Sequence, residues 1–515
     1  MAQMPSFSRP HRKLTLVPKT LQAFAAIADG QKWRNARELQ KLLESLMDKQ
    51  HLKAGGDYRD RARGLGGSGG RTHAALLKSL GLWYEYEEDG EPIVGLTLAG
   101  EALARGENAR PILSRQVMAH QFPSAYSEAL RPRTDSRFRL RPAVLILKLL
   151  KEPKVAGFVT DEEVGLCVLP FAETHTDKSC RECADRVSRF RETGVAPKRP
   201  EPATSEDNAK AYANTLHQWL RYTGFISPGD KKGTWVLAPE FESEREQAVA
   251  YWSKRPLLRT GNGTLQAQEA FQRAYGLTPG RQKDNRRPQA RRKPSEHDKY
   301  TWLVLNAVSA RNETGHLPEI SQDYAQLICT ATGIPAQTVL DILREQFPSG
   351  SKLTDRFLTS YRDMAFMGQD QAREFEIATA TVFNEILGIE ATHVGQTGRQ
   401  PDVVVRHAGQ TGIIDTKAYA LYGLESDHQL RMQTSYLPAY ANEDIQFFLY
   451  IAGGFSPSFE TGLRKIIDKS GIPGSGITIE AWTCLLQNNA SHKWTWRELV
   501  SLFRRGSIIH PTDIL

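Results

Sequence analysis

The sequence predicts a multi-domain protein with an α+β, winged-helix-like N-terminal region, a helical linker and a C-terminal α/β domain. Three observations predict this class. The chain has 515 residues, more than one hydrophobic core usually organises. A helix, glycine and hairpin pattern occurs twice in the front half, and strand-like and helix-like segments alternate in the last third. We therefore expect domains at residues 1–125, 126–295 and 351–515, with the linker at 296–350.

The composition and net charge of the chain indicate which kinds of partner it binds. No apolar run is long enough to span a bilayer, and the apolar stretch after the basic N-terminus is interrupted by Thr15 and Pro18, unlike a signal peptide. No membrane partner is therefore expected. Five cysteines without an even framework indicate a reducing compartment such as the cytoplasm. The excess of 67 Lys and Arg over 59 Asp and Glu gives a net charge of +8, which favours a polyanionic partner such as nucleic acid.

The two front modules share one outline, in which a helix ended by a glycine precedes two short strands. The first helix is predicted at Thr72–Leu80, ended by Gly81, and the second at Ala211–Tyr222, ended by Gly224. The strands are predicted at residues 82–86 and 93–98, and at 225–226 and 235–237. This is the outline of a winged helix, a relative of the helix-turn-helix that lays a helix in the major groove. Small α+β domains with no DNA role share the outline, so both interpretations stay open.

Two arginine-rich segments are candidate phosphate contacts. Gly64–Gly70 is flanked by arginines but lacks the Lys-Ser/Thr ending of a P-loop, so it predicts no nucleotide site. Residues 281–293 form the densest basic run, which is either a DNA contact or a solvated linker. The predicted DNA-binding residues are Arg59, Arg61, Arg71, Arg286, Arg287, Arg291 and Arg292.

An amphipathic helix is predicted over Gln371–Leu387, and one acid breaks its pattern. At about 100° per residue, Glu376 falls on the same face as Phe383 and Leu387. An acid that points toward a core costs several kcal/mol unless a cation meets it. A metal ion or a lysine would meet that need, so Glu376 is a candidate site residue.

A β-hairpin is predicted next, with Asp402 at the start of its first strand and a polar turn that runs through Gly409 and Gly412. Its second strand ends in Asp415-Thr416-Lys417. Because strand side chains alternate, Asp415 and Lys417 should share one face and Thr416 should lie on the other. The flanking His393 and His407 are expected in exposed loops, with contact to phosphate or water as the alternative.

These residues suit Mg²⁺, which prefers oxygen ligands in octahedral geometry. The predicted metal ligands are Asp402, Asp415, Glu376 and the backbone carbonyl of Thr416, and the predicted catalytic residues are Glu376, Asp402, Asp415 and Lys417. The metal would activate a water and neutralise charge in the transition state, while Lys417 would orient that water or stabilise the developing charge. An Asp-x-Lys triplet alone is weak evidence, whereas the ordered set of helix Glu, Pro-Asp, turn and strand ending in Asp-x-Lys is strong.

In this order the residues resemble the PD-(D/E)XK nuclease superfamily, and most closely a FokI-like cleavage domain. The resemblance extends over Gly395–Asp402, Asp415–Tyr419, Gln429–Tyr436, Gln446–Gly453, Leu463–Ile467, Ile477–Trp482 and Trp494–Arg505, about a third of the chain. The front of the chain is similar to the AlwI, MlyI, PleI and BstNBI group of type IIS restriction and nicking endonucleases. The matching pieces are Leu96–Gly100, Gln121–Ser124 and Arg141–Leu150.

The resemblance implies a type IIS restriction endonuclease that reads a short asymmetric site in double-stranded DNA and cuts a few base pairs outside it. In FokI-like domains an Asp and an Arg pair across a dimer, and the nearest positions here are Leu430 and Thr434. A transient homodimer or a second nuclease subunit is the partner implied for double-strand cleavage, and poor recruitment would give a nicking enzyme. Two other functions remain open: a winged-helix regulator with an inactive nuclease domain, and a nuclease that acts on branched DNA.

Overall fold

The computed structural model describes residues 13–49, 68–124, 135, 137–198, 206–229, 233–261, 264–286, 294–312, 320–347, 351–366, 368, 371–395, 400–419 and 421–514. The chain divides into two compact units, Met1–Ala307 and Val308–Leu515. The helices of the first unit are α1 (Val17–Ala28), α2 (Arg37–Lys49), α3 (Ser68–Ser79), α4 (Leu98–Ala104), α5 (Ala109–Ala119), α6 (Pro142–Leu149), α7 (Asp177–Thr193), α8 (Glu206–Thr223), α9 (Glu242–Lys254) and α10 (Leu265–Tyr275). Its strands are β1 (Trp83–Glu88), β2 (Glu91–Leu96), β3 (Phe158–Thr160), β4 (Ile226–Pro228) and β5 (Thr234–Leu237).

The first front module contains the predicted helix and hairpin. Helix α3 is followed by Gly81, whose φ of +69° is a left-handed conformation that favours glycine. Asp89 and Gly90 form a two-residue turn between β1 and β2, and both have positive φ, as a tight hairpin requires. Lys32, between α1 and α2, forms an antiparallel bridge with Ile93 of the hairpin. The order is therefore two helices with a bridging residue between them, a third helix and then the hairpin.

The second front module contains one more strand than the sequence predicted. Helix α8 is followed by Gly224 at φ +81°, and β4 and β5 then pair antiparallel. Strand β3 pairs with the other edge of β5, which gives the sheet order β3-β5-β4. Because β3 has only three residues, it is too short for an alternating pattern to be recognised.

Contacts cross the predicted domain boundary at residue 125. The phenol of Tyr275, on α10, lies 3.1 Å from the carbonyl oxygen of Ser79 and 3.2 Å from that of Gln116. The side-chain amide of Gln116 donates to the carbonyl of Leu80 at 2.8 Å. The end of α10 therefore completes the hydrogen bonding of the first module, although it lies far beyond residue 125 in the chain.

Residues 296–350, predicted as a helical linker, contain α11 (Glu296–Asn312), α12 (Gln322–Thr332) and α13 (Ala336–Gln346). The division between the two units falls within α11. Gly333, at φ +77°, ends α12, and its N–H donates to the carbonyl of Cys329 at 2.7 Å. Among the described residues no helix is long and apolar enough to cross a membrane.

The second unit is built on a six-stranded mixed sheet. Its remaining helices are α14 (Ser351–Met364), α15 (Ala372–Thr381, continued by a π-turn at Val382–Ile386), α16 (Ser426–Arg431), α17 (Phe459–Ser470), α18 (Ile479–His492) and α19 (Trp496–Phe503). Its strands are β6 (Glu390–His393), β7 (Val403–His407), β8 (Gln410–Lys417), β9 (Asp444–Ala452), β10 (Gly474–Thr478) and β11 (Ile508–Ile509). Their order is β11-β10-β9-β8-β7-β6, in which β6, β7 and β8 are antiparallel and β8 to β11 are parallel.

Helices cover both faces of this sheet, which explains the nearly continuous apolar run of β9. On one face, Phe448 and Tyr450 pack in a cluster with Phe459 and Leu463 of α17. On the other face, Phe447 contacts Phe503 of α19, with ring centroids 5.0 Å apart. The sheet is therefore a buried platform, and its strand ends are the positions open to functional side chains.

The hairpin turn is tighter than the sequence predicted. It consists of Ala408 and Gly409, both with positive φ, and Gly412 lies within β8 rather than in the turn. Gly412 pairs with Val405 of β7, and the register between β8 and β9 shifts between Thr411 and Gly412. A Cβ at Gly412 would lie 2.4 Å from the ring of Phe447. The glycine at 412 therefore serves close packing against β9 rather than chain reversal.

Candidate active site

The β7–β8 hairpin brings two aspartates together at one end of the sheet. The antiparallel register pairs Val403 with Ile414, so Asp402, just before β7, lies beside Asp415 of β8. Lys417 Nζ is 2.8 Å from Asp415 Oδ1 and 3.9 Å from Asp402 Oδ2. Asp415 and Lys417 thus share one face of β8, as the alternation predicted. The side chain of Lys417 is only 15% exposed, so its ammonium group is held among carboxylates rather than in water.

Thr416 contacts Asp402 through its side chain, which the alternation did not predict. Its backbone N–H donates to Asp402 Oδ2 at 2.6 Å, and its hydroxyl Oγ1 donates to the same oxygen at 3.0 Å. Because Asp402 precedes the strand, its carboxylate is not held to one face of the sheet and reaches the end of β8. Thr416 therefore orients Asp402, and the metal-ligand role of its carbonyl stays a prediction.

The helix acid reaches the same place. Glu376 lies in the first half of α15, which packs against β6, β7 and β8. A Cβ added to Gly395 would lie 2.8 Å from Glu376 Oε2 and 3.4 Å from Asp402 Oδ1. The two carboxylates therefore lie within a few ångströms of the same point. A methyl group there would displace the Glu376 carboxylate and contact Asp402.

His393 is the site residue that sequence reasoning missed. Its Nε2 is 2.9 Å from Glu376 Oε2, and its side chain is half-buried at the end of β6. The sequence favours an exposed loop at this position, because β6 has four residues with no apolar alternation. The strand forms because β7 offers it a pairing edge, with Thr392 opposite Val404. His407, by contrast, is exposed at the end of β7, and its ring lies 5.5 Å from that of Trp496.

The electrostatics of the cluster favour a cation. Burial, and then the neighbouring Asp415, raise the pKa of Asp402 to about 7. Burial and Asp402 together raise the pKa of Glu376 above its ordinary value. Burial alone would lower the pKa of Lys417, but Asp415 and Asp402 raise it instead, so the amine stays charged. Three acids around one lysine leave an excess of negative charge that a cation would stabilise.

The donor set fits a hard divalent cation held by few protein ligands. Within the described ranges, no three or more His, Cys, Asp or Glu side chains form a ready-made metal cluster. Mg²⁺ does not require one, since it is commonly bound by one or two carboxylates and keeps several waters. Asp402 and Asp415 are such a pair, and the ammonium of Lys417, 2.8 Å from the buried Asp415 Oδ1, shows that this oxygen faces a cation. The residues therefore fit Mg²⁺ as a two-carboxylate site.

The predicted DNA-binding arginines lie in different surroundings. Arg71 is exposed in the first turns of α3, and its Nη1 donates to Gln40 Oε1 at 3.4 Å. Arg286 forms ion pairs with Asp284, at 2.7 Å, and with Glu101, so its charge already has protein partners. Arg59, Arg61, Arg287, Arg291 and Arg292 lie outside the described residues. A DNA-binding role for all of these residues stays a prediction.

The mixed sheet therefore brings two aspartates and a lysine at one end of the β7–β8 hairpin beside a helix glutamate. Residues 333–510 match the family described as FokI, cleavage domain. The match runs from the start of α13 to β11 and includes every residue of the cluster. The last third of the chain is thus similar to the nuclease domain of a type IIS restriction endonuclease, as its motifs predicted.

Two solved structures align with the whole chain, but at low similarity. The structure is similar to two solved structures, one described as restriction endonuclease FokI and one as restriction endonuclease FokI bound to DNA. The sequence identities are 14% and 13%, each alignment covers 99% of this chain and 100% of the solved chain, and the TM-score is 0.31 in both. Similarity this low carries no functional argument. None of the curated proteins matches the chain.

Proposed function

We propose that this chain is a type IIS restriction endonuclease that binds a short asymmetric sequence in double-stranded DNA and hydrolyses phosphodiester bonds a few base pairs outside it with Mg²⁺. The observation that carries the proposal is the convergence of Asp402, Asp415, Lys417 and Glu376 in the domain that matches the FokI cleavage family. In the proposed reaction, Asp402 and Asp415 hold the cation, which when bound activates a water and neutralises phosphate charge.

The other residues of the cluster have tasks that follow from their contacts. Lys417 is a buried cation beside Asp415, so it would stabilise negative charge that develops on the phosphate or orient the attacking water. Thr416 fixes the Asp402 carboxylate through two hydrogen bonds to one oxygen. That leaves Asp402 Oδ1 toward the point near Gly395 where Glu376 also lies. Glu376 would add a third carboxylate to the ligand set.

DNA recognition is assigned to the two front modules. The helix and hairpin order of each supports a winged-helix interpretation, with α3 and α8 as the helices that approach the major groove. Most side chains of α3 are buried, and Arg71 and Thr72 in its first turns are exposed. That distribution suits a helix that meets base edges with its N-terminal end. The resemblance of the front half to the AlwI, MlyI, PleI and BstNBI group is part of what supports this assignment of DNA recognition.

A strand-specific nicking endonuclease is the second candidate function. Leu430, on α16, is 51% exposed, and the hydroxyl of Thr434 is used locally, since it donates to the carbonyl of Leu430 at 2.8 Å. These two positions are uncharged, although the same helix carries the exposed ion pair of Asp427 and Arg431, with Arg431 Nη2 3.3 Å from Asp427 Oδ2. If a homodimer or second subunit is recruited poorly, one strand is cut, and the protein nicks.

Mapping of product ends tests the proposed function. Supercoiled plasmid incubated with the full chain and Mg²⁺ should give discrete products whose ends, on sequencing, lie at a fixed distance from one short asymmetric sequence. Ends on both strands indicate the restriction endonuclease, and ends on one strand indicate the nicking enzyme. Ends scattered over the plasmid, cleavage confined to branched DNA, or intact plasmid would contradict the proposal, and intact plasmid with tight binding would favour a DNA-binding regulator.

His393→Ala is expected to weaken the dependence on Mg²⁺ rather than to abolish cleavage. Loss of the bond to Glu376 Oε2 leaves that carboxylate without its orienting donor. Removing a hydrogen bond that orients a metal ligand typically lowers metal affinity by about 10-fold to 100-fold. The Mg²⁺ concentration for half-maximal cleavage should therefore rise by about 10-fold or more, with a smaller loss at saturating Mg²⁺.

Two variants control this experiment. His407→Ala removes the exposed histidine that flanks the same hairpin and contacts no carboxylate of the cluster, so its Mg²⁺ curve should match the wild type. His393→Gln keeps an N–H donor at similar reach and should restore much of the affinity. Identical Mg²⁺ curves for His393→Ala and His407→Ala would remove His393 from the site.

A further inference from the structure

Two segments of the first unit carry basic residues and no acidic ones. Residues 251–261 form the last turn of α9 and the segment after it, and residues 276–283 follow α10. Arg255 Nη2 donates to Gln282 Oε1 at 2.5 Å, so the two segments lie side by side. Their exposed side chains, which we call the α9 surface, are Tyr251, Lys254, Arg255, Arg259, Arg281 and Lys283.

Two arginines lie beneath the α9 surface, of which Arg141 is buried and Arg115 is half-buried. Arg115 and Arg141 pack against Trp252, with their guanidinium carbons 5.4 and 5.2 Å from its ring centroid. Arg115 donates to the carbonyl of Tyr275 at 2.9 Å, and Arg141 donates to the carbonyl of Arg255 at 2.8 Å. Both guanidinium groups are therefore held by backbone oxygens and an aromatic ring rather than by carboxylates.

The positive charge of this cluster is not cancelled locally. Burial, and to a smaller extent Arg255, lower the pKa of Arg115 and of Arg141 to about 10. None of the charged groups that contribute to these shifts is a carboxylate. Three clustered arginines without an acid repel one another, and an external anion would relieve that repulsion. The cluster therefore predicts a ligand with negative charge.

The aromatic member of the surface points to the kind of anion. Tyr251 is 43% exposed, which is unusual for a large ring, and the guanidinium carbon of Arg255 lies 4.5 Å from its centroid. Stacking on a ring pre-organises an arginine, and its planar donors match phosphate oxygens. Phosphate contacts of proteins with DNA come from arginine, lysine and tyrosine side chains, the three types present here.

We propose that the α9 surface contacts the sugar–phosphate backbone of double-stranded DNA. The inference rests on the proposed function, and it adds the residues at the end of α9 to the start of the basic run at 281–293 that the sequence had indicated. Duplex DNA is favoured over other polyanions because α9 directly follows β4 and β5, the hairpin of the second winged-helix-like module. Contacts of this type fix the position of the protein on the duplex and carry no sequence information.

The test measures how DNA affinity depends on salt concentration. EDTA is present, so that binding is measured without cleavage. The wild-type full chain, a K254A/R255A/R259A variant and a control are titrated with a random-sequence 40-base-pair duplex between 50 and 200 mM salt. Each lost phosphate contact lowers the slope of log affinity against log salt by about 0.9. The triple variant should therefore lose about 2–3 from the slope and bind about 10-fold or more weakly at 100 mM salt.

The control is K178A/R181A/R189A, which removes the same charge from exposed positions of α7. It should keep the wild-type slope. Equal slopes for the two triple variants would overturn the proposal that the α9 surface contacts DNA. The proposal would also be overturned if K254A/R255A/R259A lost affinity for duplex RNA or single-stranded DNA but not for duplex DNA. If wild-type protein itself does not bind duplex DNA, the proposed function fails as well.

A double variant keeps the test interpretable if the triple variant unfolds. K254Q/R259Q leaves Arg255 and its contacts with Tyr251 and Gln282 in place. Its expected loss is about 1–2 in the slope, with an unchanged melting temperature. An unchanged slope in this folded variant would overturn the proposal without reference to the triple variant.

Discussion

Asp415→Asn is expected to bind duplex DNA as the wild type does and to cut it at least on the order of 10³-fold more slowly. The substitution keeps the size and shape of a side chain that is almost fully buried and removes its negative charge. Asp415 is one of two carboxylates proposed to hold the cation, and it is the closer ion-pair partner of Lys417. The substitution therefore weakens the proposed metal site and removes the charged partner that orients Lys417.

The measurement is single-turnover cleavage of plasmid under saturating enzyme, with DNA affinity measured separately in EDTA. Asp468→Asn removes an exposed aspartate of α17 from the same unit and should cut at the wild-type rate. A wild-type rate in Asp415→Asn would show that the cluster is not catalytic. Loss of DNA binding in Asp415→Asn alone would indicate that the substitution disturbs the fold rather than the chemistry.

Lys417→Met is expected to reduce cleavage by about 10²-fold or more and also to lower stability. The lysine is the cation that Asp415 and Asp402 share, and its removal leaves two buried carboxylates without it. Removal of one partner of a buried ion pair costs about 3–5 kcal/mol. A divalent cation between the same carboxylates offsets part of this cost, so Mg²⁺ should raise the melting temperature of Lys417→Met more than that of the wild type.

Thermal melts of the full chain with and without Mg²⁺ check this prediction. Lys465→Met, at an exposed position of α17, is the matched control and should melt and respond to Mg²⁺ as the wild type does. If Mg²⁺ stabilises Lys417→Met no more than the control, the cation does not bind where the lysine and the aspartates meet. Full cleavage activity in Lys417→Met would exclude Lys417 from the reaction.

The parts of the fold that the sequence predicted share a physical cause. The helix with Glu376 and the β7–β8 hairpin are long enough for their apolar periodicity to be visible, and each is bounded by a turn or cap residue. The helix and hairpin of the first module were found for the same reason, with Gly81 and Asp89-Gly90 as markers. The proximity of the aspartates and the lysine could be predicted because strand alternation and hairpin pairing depend only on residues that are close in sequence.

The parts that were missed depend on contacts distant in sequence. Strands β3 and β6 have three and four residues, and each forms because another strand offers a pairing edge. His393 could be assigned to Glu376 only once β6 was in place. Gly412 was taken for a turn residue because its partner, Phe447, lies on a separate strand. Histidine in a short segment beside a predicted catalytic hairpin was the one available signal, and it is a weak one.

The binding of Mn²⁺ to the wild type and to Asp415→Asn, measured by calorimetry in the absence of DNA, tests the convergence of these carboxylates on a divalent cation most directly. We expect the wild type to bind the ion and Asp415→Asn to bind it at least about 10-fold more weakly, whereas Asp468→Asn should bind it as the wild type does. Equal Mn²⁺ affinity in the wild type and Asp415→Asn, or no binding to either, would contradict this expectation.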